Sequence, residues 1–86
     1  MTRVEHIPIK LKPRHAWFSA TSKDAEEWSG PHTSLHHAAL AQMIEFDAPV
    51  VYVAQGYRMS KAEREEKGVD YTWEVDTQNA IEIRLP

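Results

Sequence analysis

The stretch Tyr71-Thr72-Trp73-Glu74-Val75-Asp76, followed after Thr77-Gln78-Asn79-Ala80 by Ile81-Glu82-Ile83-Arg84-Leu85, alternates apolar and polar side chains on both sides of a short gap. A period of two residues belongs to a half-buried strand. A two-residue loop would set Trp73 against Glu82 and mix the faces. A three-residue loop, Thr77-Gln78-Asn79, instead pairs Val75 with Ile81, Trp73 with Ile83 and Tyr71 with Leu85. It also puts Asn79, which tolerates the left-handed region, where such loops need positive φ. The pattern predicts a β-hairpin with its large apolar side chains on one face, and hence a small domain with a one-sided antiparallel sheet.

Upstream of this ribbon, Ser60-Lys61-Ala62-Glu63 has the form of a capping box and Gly68 that of a C-terminal stop. The helix they enclose, residues 61–67, is polar almost all round. It falls short of the roughly 12–15 residues at which isolated helices persist, so it is expected to protrude as a mobile excursion. Val50-Val51-Tyr52-Val53-Ala54 is apolar on both faces and suits a central strand, with a bulge expected at Gln55-Gly56. The main helix is predicted over residues 33–46 and stopped by Asp47-Ala48-Pro49. At about 100° per residue, Leu35, Ala39, Leu40, Met43, Ile44 and Phe46 form one broad apolar arc, expected to lie against the sheet.

Residues 4–11, with Ile7, Ile9 and Leu11 inward and Pro8 marking an edge, read as the first strand. Lys12-Pro13-Arg14 turns the chain into a second strand over 16–21, which carries Trp17 and Phe18. Residues 22–28 are expected to form a helical turn before the breaker pair Gly30-Pro31. The whole, residues 1–86, is predicted as a single α+β domain. Its architecture is a five-stranded, mainly antiparallel sheet with one principal helix packed across one face, in the order ββ(α)αβ(α)ββ.

The composition narrows the function classes. The 86 residues carry a net charge of −3 and no cysteine. Disulfides and thiolate metal sites are thereby excluded, and the chain suits a reducing cytoplasm. No apolar run reaches the length of a membrane span, and the N-terminus lacks a signal-peptide core. The acidic balance argues against a general nucleic-acid binder, whose affinity comes largely from neutralising phosphates.

Histidine supplies one candidate site. His32, His36 and His37 cluster at the start of the main helix, and the i,i+4 spacing of His32 and His36 could grip a zinc or nickel ion with His15, Asp24 or Glu27 as a third ligand. The competing reading places His32 before the helix, behind Gly30-Pro31, and His36 in the apolar arc as a partly buried neutral imidazole. A second candidate is a single-strand nucleic-acid platform of Lys10 and Lys12 beside Trp17 or the Tyr71/Trp73 face. Lysines on an edge strand, however, also guard against unwanted pairing. There is no cysteine nucleophile, no Gly-x-Ser-x-Gly elbow and no phosphate-cradling glycine loop, and the carboxylates lie in short polar runs that mark solvated faces. A non-enzyme is expected. The residues that suit a contact surface are Trp28, set in an acidic loop beside Glu26 and Glu27, and Tyr57 and Arg58. Glu26, Glu27, Glu63, Glu65 and Glu66 could steer a basic partner.

In general character the chain is similar to the small accessory proteins of phages and mobile elements, including anti-CRISPR and other anti-defence inhibitors. That likeness is one of type, carried by short length, single-domain organisation and the want of a catalytic motif. It implies a non-enzymatic protein-interaction module without cofactor, monomeric or homodimeric, that inhibits a larger host defence or nucleic-acid-processing complex by occupying its surface. The alternative is a nucleic-acid-binding or histidine-based metal-binding domain.

Overall fold

The computed structural model describes residues 11–84. The elements run β1 (His15–Ala20), β2 (Ser29–His32), α1 (Leu35–Phe46), β3 (Val50–Arg58), α2 (Lys61–Lys67), β4 (Trp73–Val75), a 3-10 turn (Thr77–Asn79) and β5 (Ile81–Arg84). The five strands form one antiparallel sheet, ordered β2-β1-β3-β4, with β5 also on β3. The α+β class and the element order thus follow the sequence expectation. The first strand read over residues 4–11 lies outside the described residues, apart from exposed Leu11.

The terminal ribbon pairs differently from the hairpin reading. β4 and β5 do not pair with each other. Both lie end to end along β3, with Val75 opposite Gly56 and then Ile81 opposite Val53. Residues 76–80 therefore bulge out opposite only Ala54 and Gln55, and Asn79 sits in a 3-10 turn instead of taking positive φ. Nine residues of β3 give both short strands a backbone partner, so neither needs the other.

The bulge also changes the face. Cross-strand neighbours share a side of a sheet, so the register puts Ile81 and Ile83 with Val51, Val53, Trp17 and Ser19. Trp73 and Val75 go to the opposite side with Phe18 and Ala54. The two apolar runs of the ribbon therefore serve two different layers.

Helix α1 covers the first layer. Ser34 caps it, its side chain accepting from the His37 N–H, and Asp47 ends it in the left-handed region with φ 50°. The buried cluster is Trp17, Ala38, Ala39, Met43, Val51, Val53 and Ile83, with Leu35, Ala48 and Ile81 packed against it. Ala38 and Ala39 bring the helix axis close to the sheet, and Gln42 turns inward because Ser19 Oγ donates to its amide oxygen at 3.2 Å. This rotates the helix away from the expected arc. Leu40 and Ile44 point outward, and Phe46 is also exposed at the helix end.

On the opposite layer the Phe18 ring lies flat across two neighbouring strands, edge-on to Trp73 at 5.4 Å between centroids. A Cβ at Gly56 would stand 2.5 Å from Phe18 Cε1, and one at Gly30 2.6 Å from Cδ2. Both glycines are needed for close approach of the ring. Gly56 marks this packing, not the expected bulge, because β1–β3 pairing runs through it without interruption. The expected helical turn before Trp28 is likewise absent among the described residues, where the chain bends without helix. Gly30-Pro31, with a cis peptide bond, belongs to edge strand β2, where a register shift accommodates it.

Candidate functional site

The side of the sheet that carries α1 also bears a groove. His15, Trp17, Gln55 and Tyr57 floor this groove of about 780 Å³, walled by residues 74–79 on one side and Lys12 on the other. The local sequence explains its shape. Lys12-Pro13-Arg14 closes a tight turn, with the His15 N–H donating to the Lys12 carbonyl at 3.1 Å and Arg14 at φ 63°. This turn projects the Arg14 guanidinium over the Tyr57 ring, 5.2 Å from its centroid, and sets the His15 imidazole 5.3 Å from the same ring.

Helix α2 protrudes beside the groove with no buried residue, and side chains tie it to the sheet. The capping box forms as read from the sequence, and Gly68 ends the helix with φ 69°. Glu63, the last member of the box, also accepts from the Tyr57 hydroxyl, which lies 2.9 and 2.8 Å from its two oxygens. Arg14 approaches it at 3.5 Å. Two further ties follow: Lys67 Nζ to Glu74 at 2.7 Å, and Arg64 to Thr72 Oγ1 at 3.2 Å. A helix too short to persist alone is thus held by side chains reaching the sheet and the segment before β4.

The ionisation states follow from these contacts. The Ser60 backbone N–H, and then the Tyr57 hydroxyl, hold the Glu63 carboxyl below its ordinary range. The same carboxylate, as acceptor, pushes the Tyr57 phenol up. Hydrogen bonding to Glu74 raises Lys67. Each shift favours the bonded form that fixes α2.

The candidate residues are dispersed by the fold. Tyr57 is at the groove, but Arg58 follows it in β3 and faces the other side of the sheet, exposed. Glu63 is taken up by internal partners, whereas Glu65 and Glu66 remain exposed on α2. Trp28 is half-buried, its Nε1 donating to the Ala25 carbonyl at 3.1 Å. It lines a second, shallower cleft on the Phe18–Trp73 side together with Glu26, Tyr71 and Thr72, and Glu27 is exposed beside it. The histidines are not gathered. His32 ends β2, His36 and His37 are exposed on α1, and among the described residues no three His, Cys, Asp or Glu side chains converge on a metal position. His36 is thus not the partly buried imidazole of the sequence reading. Lys10 falls outside the described residues, and Lys12 rims the groove. Among the described residues no helix is long and apolar enough to cross a membrane.

Sequence reasoning missed the outward side of α1. Ile44 is 79% exposed and Leu40 49%, one turn apart on a helix that packs through Ala38, Ala39, Gln42 and Met43. The signal was available: an apolar arc wider than one contact face, with Ala38, Ala39 and the hydrogen-bonding Gln42 as an alternative inward set.

Compared with protein-family models, with curated proteins and with solved structures, the chain matches none.

Proposed function

We propose that this domain is a non-enzymatic protein-interaction module that inhibits a larger host defence or nucleic-acid-processing complex by occupying its surface. The observation that carries the reading is the outward stripe of α1, where Leu40 and Ile44 stand in solvent between His36 and the helix end. Large apolar side chains placed next to one another on a surface helix are the usual core of a protein contact. The groove lies on the same side of the sheet as α1, with Tyr57 and His15 in its floor and exposed Glu65 and Glu66 on α2.

Two physical features support this assignment. In the free chain α2 is already bonded to Tyr57 and Glu74, which lowers the ordering entropy that binding there costs. The net charge of −3, with Glu65 and Glu66 exposed on α2, complements the basic surfaces that nucleic-acid-processing complexes present to phosphates. In this reading the partner acts in the cytoplasm and is a protein, with Trp28, Glu26 and Glu27 forming a secondary contact on the opposite layer. Affinity capture from host lysate, run in parallel with the wild-type chain and a Leu40→Glu/Ile44→Glu variant, tests it. A protein retained by the former and lost from the latter supports the assignment. Equal retention by both refutes it.

A further inference from the structure

The two flanks of the sheet are built differently. β2, at one edge, contains Pro31, which has no N–H to donate, and a register shift against β1. Both devices stop further strands from adding. β5, at the other edge, is regular over Ile81-Glu82-Ile83-Arg84, and among the described residues its only strand partner is β3. Its pattern is also self-complementary. Glu82 and Arg84 point to one side, already 2.7 Å apart within the strand, and Ile81 and Ile83 to the other.

We propose that the outer edge of β5 pairs antiparallel with β5 of a second copy of this chain, in the register that sets Ile83 against Ile83 and Glu82 against Arg84 across a two-fold axis. Charge chooses that register. Moving it by two residues opposes Glu82 with Glu82, or Arg84 with Arg84, and like charges directly opposite are destabilising. Moving it by one residue sets isoleucine against charge and puts the apolar row on the wrong side. Only the 83–83 register forms two symmetric ion pairs while keeping the isoleucines together on the α1 side. The contact is isologous and closes on itself, so it yields a dimer and not a fibre. It meets the groove only at Ile81 and does not use the outward stripe of α1 that carries the proposed function, so it stands or falls independently of that reading.

Sedimentation analysis of the full chain over a wide concentration range tests the pairing. The wild-type chain is expected to dimerise reversibly, more weakly as salt is raised. E82R and R84E should each weaken dimerisation by about tenfold or more, because each reversal opposes like charges at two symmetric positions. An equimolar mixture of the two variants should associate again, since one presents two arginines and the other two glutamates. Both positions are exposed, and circular dichroism checks that each variant is folded. A wild-type chain that stays monomeric, including one whose edge is covered by its own N-terminal residues, overturns the proposal. So does a dimer indifferent to both reversals, or a mixture that fails to associate.

Discussion

Replacing Gly56 with alanine tests the layer formed by Phe18 most sharply, because two opposed effects predict opposite signs. In an extended, unstrained position, alanine lowers the entropy of the unfolded chain and stabilises by about 0.4–1 kcal/mol. Here the new methyl would stand 2.5 Å from Phe18 Cε1 and 2.8 Å from Cδ1. Ordinary carbon contacts lie near 3.5–4.0 Å, so the ring would have to retreat by about 1 Å. Retreat is blocked: the far edge of the ring already lies over Gly30, and Trp73 packs against it edge-on. Overpacking of this kind costs about 1–3 kcal/mol, which exceeds the entropic gain. A domain of this size loses roughly 4–8 °C in Tm per kcal/mol, so a fall of about 10 °C is expected. Thermal unfolding followed by near-ultraviolet circular dichroism measures it. In a Phe18→Leu background the obstructing ring edge is gone, and Gly56→Ala should become neutral or stabilising, a coupling that a double-mutant cycle isolates. An unchanged or raised Tm in the wild-type background, or an equal cost in both, would refute the packing described.

Other consequences can be checked alongside. Ser19 and Gln42 are both buried and bonded to each other, so Ser19→Ala leaves an amide oxygen without its donor and should cost about 1–3 kcal/mol in denaturant unfolding. Ser19→Ala with Gln42→Met should recover most of that loss. Glu63 has its carboxyl held below the ordinary 4.5, so the unfolded chain binds that proton more readily. Its stabilisation is complete above 4.5 and disappears as the pH falls through the depressed value, and Glu63→Gln should flatten that acid limb. At the alkaline end the raised Tyr57 and Lys67 work in the opposite sense, with stability lost as the pH climbs through their shifted values.

Much of the fold was legible because local signals and tertiary context agree. The capping box at Ser60, the stop at Gly68 and the apolar run of β3 are each decided within a few residues, and each forms where the sequence puts it. The ribbon was half legible. Alternation identified both strands, but alternation cannot say whether two strands pair with each other or share a third. The nine-residue length of β3 decides that, and the bulge at residues 76–80 then sends the two apolar rows to opposite layers. The facing of α1 was misread for a similar reason: a buried Ser19–Gln42 hydrogen bond, invisible to periodicity, turns Leu40 and Ile44 outward. At the candidate site, sequence places Tyr57 and Glu63 among contact residues but cannot show that the two bond to each other, which ties α2 to β3.

The proposed recognition surface is tested most directly by calorimetric titration of the captured partner, once purified, against the wild-type chain and the Leu40→Glu/Ile44→Glu variant. Both side chains are exposed, so the variant should keep the wild-type unfolding free energy within about 0.5 kcal/mol. Each aliphatic side chain buried in the complex contributes about 1.5–3 kcal/mol, so the paired change should raise Kd by about 100-fold or more. A Kd within twofold of wild type, from a variant that is fully folded, would contradict the assignment of α1 as the contact surface.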